Sequence, residues 1–104
     1  MLALLVTPPA VGHLSGGWSK QTAYGSAYVS ANRRSIEVCD LADDGRPVEV
    51  EYATSMLNKY TITDSNGAKP GCGDDFVLFG HIDVFKLCDA AFPRECTSST
   101  WIKK

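Results

Sequence analysis

The sequence predicts an all-β protein: an antiparallel β-sandwich of immunoglobulin-like architecture, with about seven short strands and two disulfides. Three observations carry that prediction. Apolar residues recur with period two along most of the chain, no window carries a convincing helical stripe, and four cysteines stand in only 104 residues. With 44% hydrophobic and 21% charged residues, the chain reads as one globular domain.

The opening "MLALLVTPPAVG" is apolar and uncharged, and too short to cross a bilayer as a helix, which needs about 20 residues. It reads as the remnant of a secretory signal over residues 1–12. Pro8-Pro9 break the apolar run, and Ala10 and Gly12 set small residues before a cut at His13, although a basic leading region is missing. Residues 13–22, "HLSGGWSKQT", are glycine-rich and aperiodic, so a flexible N-terminal arm is expected there, ahead of a sandwich domain over 23–104.

From there the strands follow in order: "SAYVSA", "SIEVCDL", "PVEVEYA", "KYTIT", "FVLFG", "HIDVFKLCD" and "STWIK". The cleanest is "PVEVEYA", where Val48, Val50 and Tyr52 point one way and Glu49 and Glu51 the other. Between strands, "DSNGAKPGCGDD" is a long loop of turn formers. The best helical candidate, 53–59, is short and rich in Thr, Ser and Asn.

Cys39, Cys72, Cys88 and Cys96 show no C-x-x-C spacing, which argues against a zinc knuckle or a redox motif and for disulfides. Three pairings exist. Cys39–Cys72 with Cys88–Cys96 is favoured, because the second pair brackets the Pro-containing loop "DAAFPRE" between strand-like runs. In the chain-entropy model the two bridges contribute about 3.8 and 2.6 kcal/mol. Disulfides imply an oxidising compartment, hence a secreted, extracellular protein. A true immunoglobulin domain would bridge its sheets, here through Cys39 and Cys88. Yet no Trp lies between those two, and Lys86 occupies the tyrosine-corner position.

The stretch "VCDLADDGRPVEVEY" nearly spells a calcium loop from Asp40. Ala42 stands where an oxygen ligand is required, however, and the flanks alternate as strands. The simpler reading is a hairpin whose turn uses Gly45 at positive φ. A weak calcium site of Asp40, Asp43 and Asp44 is the alternative, and no other metal or cofactor is expected.

Catalysis finds little support. His81 and Asp83 share a strand face, but no nucleophile motif accompanies them. Asp74-Asp75 reads as the lip of a loop. A net charge of −2, with only Arg33-Arg34 and Lys103-Lys104 as basic pairs, argues against nucleic acid. Nor is a membrane partner expected. Binding to other proteins remains. Trp18 on the arm, and Phe92 with Arg94 on the rigid "DAAFPRE" tip, are the candidate partner contacts, each with a plain packing role as its alternative.

The order "SIEVCDLADDG", "VEVEY", "DSNGAKPGCG", "HIDVFKLCD", then a last cysteine before an aromatic, resembles small exported proteins of Streptomyces-type actinobacteria. Those show V-C-D…D-G…E-Y, D-x-N-G…G-C-G, I-x-x-(hydrophobic)-R-V-C-(D/E) and a final C-x-x-W. The resemblance spans residues 26 to 101. It departs at Lys86, where Arg is usual, and at Trp101, which lies five residues after Cys96 rather than about three. The role it implies is the adaptor subunit of an umbrella toxin particle, joining a lectin-like subunit to a repeat-bearing toxin, with the Trp18 arm inserting into a partner. The expectation is therefore a secreted non-catalytic interaction module. A small inhibitor of an extracellular hydrolase is the first rival, and a calcium- or carbohydrate-binding module the second.

Overall fold

Period-two alternation becomes two antiparallel sheets packed face to face, in a computed structural model that describes residues 16–42, 45–64 and 71–102. One sheet runs β1 (Trp18–Gln21), β2 (Gly25–Val29), β3 (Ser35–Asp40), β6 (Gly73–Phe76). The other runs β5 (Lys59–Asp64), β4 (Val48–Thr54), β7 (Ile82–Asp89), with β8 (Glu95–Cys96) and β9 (Thr100–Trp101) both on the outer side of β7. Each strand keeps alternate residues inside because successive side chains point to opposite faces. Val29, Ile36 and Val38 meet Val50, Ile82, Phe85 and Leu87, all at most 1% exposed. Burying each such side chain is worth about 1.5–3 kcal/mol relative to leaving it in water.

Both disulfides take the favoured pairing, Cys39–Cys72 and Cys88–Cys96. Each bridge stays on one sheet: Cys72 directly precedes β6, the neighbour of β3, and Cys96 stands opposite Cys88 in register. An immunoglobulin-type bridge between sheets is thus replaced by two staples at one end of the sandwich, where β3 and β7 finish.

Four expectations are corrected. "VCDLADDGRPVEVEY" is not a hairpin, because β3 and β4 belong to different sheets. Each already has two strand neighbours, β2 and β6 for β3, β5 and β7 for β4. Their apolar faces therefore oppose across the core instead of lying side by side. Gly45 does take φ +72°, but on a crossover. The crossover is anchored where the Asp40 N–H donates to Asp64 Oδ2 at 2.8 Å and the Leu41 N–H to the Tyr24 carbonyl at 3.0 Å.

Second, Trp18–Gln21 is no free arm. It pairs with β2, from Trp18 opposite Val29 to Gln21 opposite Ser26. An edge strand buries only part of one face, so its sequence carries little periodicity. Third, "FVLFG" contributes only Phe76 to a strand, and β6 is "GDDF" instead. Val77 alone is buried from that run. Gly80, at φ +82°, then turns the chain across to the second sheet. Fourth, "STWIK" holds only a two-residue strand, the second half of an edge that β8 begins; the register slips between the halves, Cys88 facing Cys96 but Val84 facing Trp101. Among the described residues the strands number nine, all short, in the two-sheet sandwich that the sequence predicts. The expectations for residues 1–12 and for Asp43 and Asp44 lie outside the described residues.

Candidate functional site

The two ends of the sandwich differ in chemistry. At the stapled end Asp40 and Asp64 are buried and tied to backbone and to each other's strands. Asp40 Oδ1 accepts the Ala42 N–H at 3.1 Å and Asp64 Oδ2 accepts the Asp40 N–H. That use of Asp40 is a loop anchor. Beside it, Arg46 Nε donates to Asp89 Oδ2 at 2.8 Å. The arginine's hydrogen bond holds the Asp89 carboxyl below the usual range, with burial opposing it in part.

At the opposite end the edges of the two sheets, β5 and β6, part around a groove of about 340 Å³. Its floor is Tyr52 and Thr54 from β4, one wall is Tyr60 on β5, and the other is Asp75 and Phe76 on β6 with Leu78 and Phe79 beyond. The 55–58 turn adds Met56 and Asn58. Of nine large hydrophobic side chains exposed among the described residues, six (Met56, Leu57, Tyr60, Phe76, Leu78, Phe79) lie on the turn, strands and loop that form this groove. Single apolar side chains scattered over a surface are ordinary, whereas a gathering of this kind is not.

The groove walls are held by polar contacts. The Tyr52 hydroxyl donates to Asp75 Oδ2 at 2.5 Å, joining the two sheets, and its ring lies 5.4 Å from that of Tyr60. Burial, then the bond to Asp75, pushes the Tyr52 hydroxyl pKa up. Arg34 Nη2 donates to the Leu78 carbonyl at 2.6 Å while its guanidinium stands 5.7 Å from the Phe76 ring centre. Arg33, itself at φ +63°, reaches Asp83 Oδ1 at 2.7 Å and donates through Nε to the Ile82 carbonyl at 3.0 Å. The basic pair is therefore a clamp on the loop that carries Leu78 and Phe79.

His81 and Asp83 do meet. Nε2 lies 3.0 Å from Asp83 Oδ1 without a hydrogen bond between them, and Arg33 takes the same oxygen. The His81 N–H donates to Ser55 Oγ at 3.0 Å, fastening the two groove loops together. Trp18 packs partly buried against the core. Phe92 projects at the tip of its loop, 94% exposed, while Arg94 is drawn back to Glu49 Oε2 at 2.6 Å. Glu49 lies on the outer face of β4, as the alternation requires, and Glu51 follows it there, paired with Lys86 at 3.2 Å. Glu37 converges with Cys39 and Cys72, but those sulfurs are bonded to each other, which leaves one ligand and no metal site.

The groove escapes sequence reasoning because "FVLFG" reads as a strand, Asp74-Asp75 as the lip of a loop and 53–59 as a weak helical candidate, with nothing to bring the three together. The signal was present: "FVLFG" places large apolar side chains at both parities, so some had to face outward. No family model, curated protein or solved structure matches the chain.

Proposed function

We propose that this protein is a secreted, non-catalytic protein-interaction module whose partner docks in the groove between β5 and β6. The observation that carries the reading is the gathering of six of the nine exposed large apolar side chains among the described residues on the elements that form one groove. Aromatic anchors around a concave floor are the usual centre of a protein contact. Two disulfides and the apolar opening of the chain favour export. Within that reading, an adaptor of a multi-protein extracellular particle is the role the sequence resemblance suggests. The groove, rather than Trp18, is then its contact surface.

The test is a tagged pull-down from the host's culture medium with the wild type and the double variant Leu78→Ser/Phe79→Ser. Both side chains are exposed, so stability should stay within about 0.5 kcal/mol. Loss of the recovered partners is expected; equal recovery by the variant would sink the groove reading. One observation favours a second reading, an inhibitor of an extracellular hydrolase: the 94% exposed Phe92 on a loop closed by Cys88–Cys96. In that case Phe92→Ala, and not the groove variant, abolishes binding.

A further inference from the structure

We infer that the groove receives an extended segment of a partner protein, which adds as a strand to the free edge of β5 and drops alternate apolar side chains between β5 and β6. This rests on the interaction reading above and names its occupant.

The inference starts from the sheet edges. Exposed edges are ordinarily blunted by charge, brevity or proline. Here β1 is four residues long and carries Lys20, β6 is four and carries Asp74 and Asp75, and β8 and β9 are two each. By contrast β5 is six residues, "KYTITD", with no proline and with charge only at its ends. Neither charge guards the edge. Asp64 is buried, and Lys59 leans back over the sheet to Glu51 at 3.5 Å.

Hydrogen-bond parity shows which groups are free. In an antiparallel pair the bonded positions alternate. The Thr54 N–H donates to the Asn58 carbonyl at 2.9 Å, so Tyr52–Tyr60 and Val50–Ile62 are the bonded pairs that follow. The N–H and C=O groups of Lys59, Thr61 and Thr63 consequently point away from β4. At Thr63 the sheets close: a Cβ on Gly73 would stand 2.7 Å from the Thr63 carbonyl oxygen. Among the described residues, Lys59 and Thr61 are left with an open edge, directly beside the groove.

A strand added there would point alternate side chains the way Tyr60 points, toward the interior. They would meet Leu78 and Phe79, which line the groove and now face water, whereas Phe76, opposite Ser35, points to the outer face of its own sheet. The other alternate positions would lie beside Thr61 and Lys59 and be polar. The segment is thus extended and apolar at every second residue, its affinity coming from backbone bonds and its selectivity from the groove.

The probe is a phage-displayed random dodecapeptide library panned on the folded, disulfide-intact protein. Selected peptides are expected to share apolar residues at alternate positions and to slow amide exchange at Lys59 and Thr61. Thr61→Pro is the informative variant. It removes an outward N–H that no β4 group uses, which an edge strand tolerates, yet it blocks an incoming strand. It should weaken peptide binding roughly tenfold or more, whereas Thr61→Val, which keeps the backbone, should bind as wild type. Peptides that ignore Thr61→Pro but fail on Leu78→Ser/Phe79→Ser would overturn the strand and leave the groove. Peptides indifferent to both, or no peptides at all, would overturn the inference. Self-association lost in Thr61→Pro would also overturn it, since a second copy would then be the occupant.

Discussion

The stapled end and the groove end are built from the same two sheets, but they use side chains in opposite ways. Where β3 and β7 finish, two disulfides, the Asp40 N–H bond to the Asp64 carboxylate and the Arg46–Asp89 pair tie the strand ends together. Where β7 begins, apolar side chains face water, and Arg33 and Leu57 hold positive φ. A small domain buries a limited core, so constraint concentrated at one end lets the other carry surface that costs stability.

Three experiments sharpen that contrast. The largest effect should come from Cys39→Ser/Cys72→Ser, about 3.8 kcal/mol lost, against about 2.6 kcal/mol for Cys88→Ser/Cys96→Ser, both read by denaturant unfolding. If the smaller loop proves the costlier loss, the stapled end is not stabilised mainly through chain entropy. Next, Leu57→Gly should raise stability by about 1 kcal/mol. Leucine at φ +67° is strained where glycine is not, and its 92% exposed side chain buries nothing. The same variant should weaken partner binding, and a stabilised variant that binds normally would remove Leu57 from the contact surface. The smallest effect concerns acid. The folded Asp89 carboxyl titrates below its unfolded value, so its contribution is complete above about pH 4 and is lost as pH falls through the lower folded value. Asp89→Asn should flatten that acid limb, by about 0.2–1 kcal/mol, in urea melts between pH 5 and 2.

Much of the fold was legible because strand alternation and buried valines are local signals. "PVEVEYA" reads the same in the sequence and in β4. The sheet assignment was not legible. Whether "VCDL" and "VEVEY" lie side by side or face to face depends on which other strands take their edges, and no local pattern encodes that. The groove was hidden for a related reason. Leu78 and Phe79 are as hydrophobic as core residues, and only the turn at Gly80 keeps them from being buried. The clamp role of Arg33-Arg34 rests on contacts to residues some fifty positions away, such as Asp83, which composition does not anticipate.

Chain direction sets a practical orientation for the molecule. β1 starts opposite Val29 and β9 ends opposite Val84, so the polypeptide enters and leaves the sandwich at the groove end. A bulky group attached where β1 begins or where β9 ends would therefore stand at the same end of the sandwich as the surface where a partner would settle. A handle attached on the 90–94 loop, at the far end, would instead hold the molecule with its groove turned outward from a bead, a biosensor chip or a phage-panning plate.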